Sequence, residues 1–128
     1  MKKVLIVNDC RFESIIMRDI ISKFGYNVKV TNEYSAVREV KEFLPNVIIA
    51  NLIMKDTTGD ELINKVKDID SNIYGILSSC NVLNKDDFKL KRVDEVIQTP
   101  VDGVILKKAL EGKVLAKNQM RIMKILYI

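Results

Sequence analysis

The 128-residue sequence contains no histidine and no tryptophan. Without histidine the chain lacks the commonest general base and the commonest metal ligand. Its two cysteines are too few for a disulfide scaffold and fit free thiols in a reducing cytosol. Five glycines and two prolines exclude collagen-like and low-complexity classes. The first apolar run, Val4–Val7, is too short for a signal-peptide core or a membrane span. What remains is 48% hydrophobic and 30% charged, enough to bury one core but hardly two. One soluble, cytoplasmic domain is expected.

The formal net charge of +4 is unevenly placed. Residues 1–100 carry 15 basic and 15 acidic side chains, whereas residues 101–128 carry 6 and 2. A basic end on a neutral body points to an interaction element and not to a general nucleic-acid binder.

Val4-Leu5-Ile6-Val7 shows no polar alternation, the mark of a strand covered on both faces, as in a parallel sheet. Phe12, Ile15, Ile16, Ile20 and Phe24 then recur at helical steps over residues 11–24, with Gly25 placed to end the helix. The alternation continues. Asn27–Val30 reads as a strand, and a second helix through Val37 and Val40 is stopped by Pro45. Val47–Ala50 is a third strand. Asp60 is a candidate N-cap for a third helix through Leu62, Val66 and Ile69. Ile73–Leu77 is a fourth strand, followed by a weaker helix over about 85–92, the short strand Glu95–Gln98 and a last helix after Pro100. Five strands alternating with five helices imply a doubly wound α/β fold with a five-stranded parallel sheet. Residues 1–112 form that domain and residues 113–128 an extension.

In such sheets function gathers at the carboxyl ends of the strands. Those ends carry Asn8-Asp9-Cys10, Asn51, Ser78-Ser79 and Gln98-Thr99-Pro100. Together with Lys3-Val4-Leu5-Ile6-Val7 ahead of Asn8-Asp9, Pro45-Asn46-Val47-Ile48-Ile49-Ala50 ahead of Asn51, and Gly59 eight residues later, they give residues 2–111 a clear likeness. The chain resembles the receiver domain of bacterial response regulators, the flavodoxin-like phosphoacceptor module of two-component signalling. The resemblance implies an Asp at the end of the third strand as phosphoacceptor and an acidic pair after the first strand holding Mg²⁺. It further implies a Lys before the late Pro, pairing with phosphoryl oxygens, a Ser or Thr after the fourth strand, and an aromatic residue on the fifth.

This chain departs from that pattern where the chemistry lies. Asn51 occupies the acceptor position, and its uncharged amide is a poor nucleophile. Asn8 replaces the first acidic ligand and leaves Asp9 alone; Thr99 replaces the Lys, Val96 the aromatic residue and Lys55 a Pro. Only Ser78 matches. With one carboxylate left, Mg²⁺ binding is expected to be weak or absent, since the ion dehydrates reluctantly and needs more than one anchor. No metal or other cofactor is expected. Asp9 is expected to hydrogen-bond Thr99 or nearby backbone amides. The reading is a pseudo-receiver, no longer a phosphoacceptor and not an enzyme. It would act by phosphorylation-independent contact with protein partners through the fourth helix, fifth strand and fifth helix.

Two alternatives stand beside it. One is a conventional regulator phosphorylated at another residue, such as Asp56. The other is a flavodoxin-like binder of a small molecule or nucleotide, although no Gly-rich loop follows any strand. Cys10 and Cys80 fall on loops rimming one pocket, as a redox pair or as two unrelated free thiols. Continued as a helix, residues 113–128 would gather Lys113, Lys117, Arg121 and Lys124 into a narrow basic stripe on an otherwise apolar surface. Such an amphipathic extension needs a cover. Pairing with a second copy ranks first, packing on its own domain second and an anionic membrane third, while nucleic acid is not expected.

Overall fold

Three apolar runs fix the centre of the sheet: β1 (Lys3–Val7), β3 (Val47–Asn51) and β4 (Tyr74–Ser79). The computed structural model describes residues 2–112. β2 (Asn27–Thr31) and β5 (Glu95–Gln98) flank the runs, giving the all-parallel order β2-β1-β3-β4-β5. β1 lies between β2 and β3, so the strand order reverses there. The crevice above the carboxyl ends of β1 and β3 is therefore the switch point where such sheets bind ligands.

The pleat divides the apolar side chains between two layers. Val4, Ile6, Ile49 and Ile76 meet α1 (Arg11–Lys23) and a last helix beginning at residue 103. Leu5, Val7, Ile48 and Leu77 face α2 (Ala36–Phe43) and α3 (Gly59–Ile69). Burial of both strand faces is why these runs lack polar alternation.

The helix ends follow local chemistry. Gly25 has φ +93°, and its N–H bonds to the Ser22 carbonyl as α1 closes. Leu44 takes the left-handed conformation at φ 54°, and Pro45 prevents another turn. Asp102 caps the last helix, its Oδ1 accepting from Val104 N–H at 2.7 Å.

Two expectations are corrected. The N-cap of α3 is Thr58, and Asp60 lies inside the first turn. An isolated antiparallel bridge between Ile53 and Thr58 keeps Thr58 extended, while Gly59 fits directly against the Asn51 carbonyl. The weak fourth helix is instead a 3₁₀ segment, Lys85–Lys91, broken at Phe88. Its sequence offers only Phe88 and Leu90 as apolar side chains, too few for an α-helical stripe, and Leu90 stays 95% exposed. Ionic contacts hold it instead. Lys91 pairs with Glu61, and Arg92 reaches Asn64 and Asp68 on α3. The expected extension over 113–128 lies outside the described residues.

Candidate functional site

Asn8, Asn51, Ser78 and Thr99 stand at the carboxyl ends of β1, β3, β4 and β5, four neighbouring strands. Adjacent strands lie about 4.8 Å apart, so these positions form one row across the sheet edge. Asn8 is only 6% exposed. Its Oδ1 accepts from Cys10 N–H at 2.9 Å, and its Nδ2 donates to Glu13 Oε1 at 3.4 Å. Both ends of the amide are therefore used in the turn that starts α1.

Asn51 closes β3 opposite Ser78. Its Nδ2 donates to the Ile53 carbonyl at 2.8 Å. Leu52 N–H donates to the Ser78 carbonyl at 2.7 Å, and Gly59 N–H to the Leu52 carbonyl at 2.9 Å. A Cβ at Gly59 would lie 2.4 Å from the Asn51 carbonyl oxygen, so this close approach requires glycine.

Ser78 is 1% exposed, and its Oγ has no hydrogen-bond partner. Thr99 is likewise buried and donates its backbone N–H to Ser79, ahead of a cis peptide to Pro100. Val96, half-buried on β5, packs with the Leu77 layer. Lys55 is exposed.

The expected tether of Asp9 is absent. Asp9 is exposed, and no hydrogen bond or ion pair reaches it among the described residues. The chain turns into α1 immediately after it, with Asn8 providing the turn's side-chain acceptor instead. Mg²⁺ takes hard oxygen ligands in octahedral array. Here one carboxylate faces solvent, the Asn8 amide oxygen already accepts one hydrogen bond, and no group of three metal-ligating side chains forms among the described residues.

Cys10 and Cys80 are both free thiols. β3 separates their strands, which puts the strand ends two spacings, about 9.6 Å, apart. Both residues lie in the loops that leave those strands, Cys10 half-buried and Cys80 exposed. Lys113, Lys117, Arg121 and Lys124 lie outside the described residues.

Two features escape the sequence. An open cleft of about 490 Å³ lies beside β2, lined by Asn8, Asp9, Arg11, Ser14, Arg18 and Thr31, away from Asn51. Nothing in the spacing of these residues marks them as one wall. The second is a contact between loops 22 to 24 residues apart in sequence. Glu33 accepts from the backbone N–H groups of Asp56 and Thr57, and the Tyr34 hydroxyl donates to Asp56. That bond is the main reason the Tyr34 phenol is pushed up to about 12. Asp56 is thereby drawn toward the β2–α2 loop. Adjacency of β2 and β3 to the same central strand was the available signal, but no motif names the pair.

The chain is 36% identical over 80 residues to the chemotaxis protein CheY of Thermotoga maritima, covering 61% of this chain and 67% of that protein. It is 26% identical over 107 residues to CheY of Halobacterium salinarum, covering 83% and 84%. Among solved structures, a CheY-like receiver domain protein from Methanospirillum hungatei superposes with a TM-score of 0.81 at 19% identity, covering 94% of this chain and 98% of that one. Chemotaxis protein CheY4 of Vibrio cholerae does so with 0.81 at 21% identity, covering 87% and 97%. No family model matches the sequence. The strand order, the row of strand-end positions and the similarity to CheY proteins agree: this chain belongs to the CheY-like response-regulator receiver family, the signalling modules of two-component systems.

Proposed function

We propose that this receiver domain has lost phosphoryl acceptance and signals in the cytoplasm by binding protein partners independently of phosphorylation. The observation that carries the reading is the Asn51 amide. A carboxylate there would offer an anionic oxygen; the carboxamide offers a neutral one and spends its N–H on Ile53. Thr99 supplies no cation, and Asn8 supplies no second carboxylate. Asp56 is a poor substitute, because its carboxylate is engaged by Tyr34.

Binding without chemistry needs an available surface. Leu90 on the 3₁₀ segment, Val82 just before it and Ile105 on the last helix are exposed apolar side chains in the segments that precede and follow β5, one edge strand of the sheet. Pairing with a second copy through residues 113–128 belongs to the same proposal. The amphipathic pattern there gives the basis, and a fall in solution mass on removal of those residues is the outcome expected.

The deciding experiment is incubation of the full chain with acetyl phosphate and Mg²⁺, read by intact mass. No phosphoryl adduct is expected. A stoichiometric adduct that hydroxylamine removes would overturn the reading.

A further inference from the structure

The loop between Asn51 and Gly59 is anchored at both ends, by Leu52 N–H on Ser78 and by the Ile53–Thr58 bridge. Lys55 and Asp56 in its outer turn are exposed, and the N–H groups there need partners. Water would ordinarily serve them, and such loops occupy the low-stability end of a fold. Here a carboxylate from another loop serves them. Glu33 Oε2 accepts from Asp56 N–H at 3.2 Å and from Thr57 N–H at 3.0 Å, and Oε1 takes a longer bond of 3.3 Å from Asp56 N–H. The Tyr34 hydroxyl completes the contact by donating to Asp56 Oδ2.

The donor turn is itself rigid. Asn32 Oδ1 accepts from Tyr34 N–H at 3.0 Å and from Ser35 N–H at 2.9 Å, which fixes the backbone carrying Glu33 and Tyr34 before α2 begins. An anion held on a fixed turn and aimed at two neighbouring backbone donors makes charge-assisted bonds. It orders the opposite loop without a diffusible ligand.

We propose that Glu33 and Tyr34 form a built-in latch. It closes the β2–α2 loop onto the β3–α3 loop, holds that rim of the site in one conformation and engages the Asp56 carboxylate through Tyr34. The latch is carried by hydrogen bonds alone and stands whether or not Asn51 accepts a phosphoryl group. Opening it would free both loops together, since each bond fixes the same turn.

The test is amide hydrogen exchange by NMR on the full chain, with no phosphodonor present. In the wild type, Asp56 and Thr57 amides are expected to be protected. Glu33→Ala is expected to raise their exchange about tenfold while β1, β3 and β4 amides stay unchanged. Tyr34→Phe, a change at a 66% exposed side chain, is expected to raise the same two amides by a smaller factor. The double variant should exchange less than the product of the two effects, because both bonds fix one turn. If Glu33→Ala proves unfolded, Tyr34→Phe alone carries the test. Unprotected Asp56 and Thr57 amides in the wild type, or unchanged exchange in both single variants, would overturn the latch.

Discussion

Replacing Asn51 by Asp restores the family's acceptor but removes a structural donor. The Asn51 Nδ2 lies 2.8 Å from the Ile53 carbonyl oxygen. An introduced carboxylate would put acceptor against acceptor at that distance, with no cation at Thr99 to relieve it. The lost bond contributes about 1 kcal/mol, and an unpaired polar group in this half-buried position adds about 1–2 more. Asn51→Asp should therefore destabilise the domain by about 2–3 kcal/mol, read as a lower urea midpoint at unchanged slope. It should also fail to label appreciably with acetyl phosphate. The triple change Asn8→Asp, Asn51→Asp, Thr99→Lys restores two metal ligands and the cation together. It alone should gain Mg²⁺-dependent stabilisation, by about 1.4 kcal/mol for each tenfold excess of ion over its dissociation constant. Unchanged stability of Asn51→Asp, or strong labelling of that single variant, would refute the argument, because the first denies the Ile53 bond and the second denies any need for Asn8 and Thr99 to change.

Three further outcomes follow from individual contacts. Ser78→Ala removes a buried hydroxyl that has no partner, so it should be neutral or stabilising by up to about 1 kcal/mol in urea unfolding. Asp94→Ala should cost about 3 kcal/mol: it strands the nearly buried Lys67 ammonium, 2.5 Å from Asp94 Oδ2, and frees the Gly75 N–H bound to the same oxygen. Lys67→Met combined with Asp94→Ala should cost less than the two changes summed, in the same assay. The Tyr34 phenolate should absorb only near pH 12, and Asp56→Asn should return it toward 10.0, seen as a difference titration at constant Tyr74 signal. A phenol raised in the fold lends stability below its unfolded value, so this contribution is lost as pH climbs from about 10 to about 12.

The fold was legible because burial writes itself into composition. Val4–Val7, Val47–Ala50 and Ile76–Leu77 are apolar on both faces only because helices cover both, so their runs announce a parallel sheet. Gly25 and Pro45 mark helix ends through backbone constraints that any sequence must obey. The 3₁₀ segment was less legible, since Lys91 and Arg92 hold it through partners on α3 that lie 24 to 30 residues away. The row Asn8, Asn51, Ser78 and Thr99 could be named from strand ends alone. What those side chains touch could not: Asp9 carries the right charge for a tether and makes none, whereas Glu33, outside every motif, holds the loop.

Both amides in that row do work that a carboxylate cannot. The oxygen of Asn8 accepts from Cys10 N–H, a role an Asp could share, but its nitrogen faces Glu13 at 3.4 Å, where a second carboxylate would repel. The nitrogen of Asn51 faces a carbonyl, with the same consequence. A pocket of several carboxylates is tolerable when a divalent cation offsets their repulsion. Without the cation it would push the strand ends apart. Neutral side chains that donate as well as accept remove the repulsion and satisfy the turns from within. The sheet beneath depends on neither arrangement, since its core is aliphatic and lies below the row. The scaffold can therefore keep its shape with amides at these two positions, where each side chain serves the loop that leaves its strand.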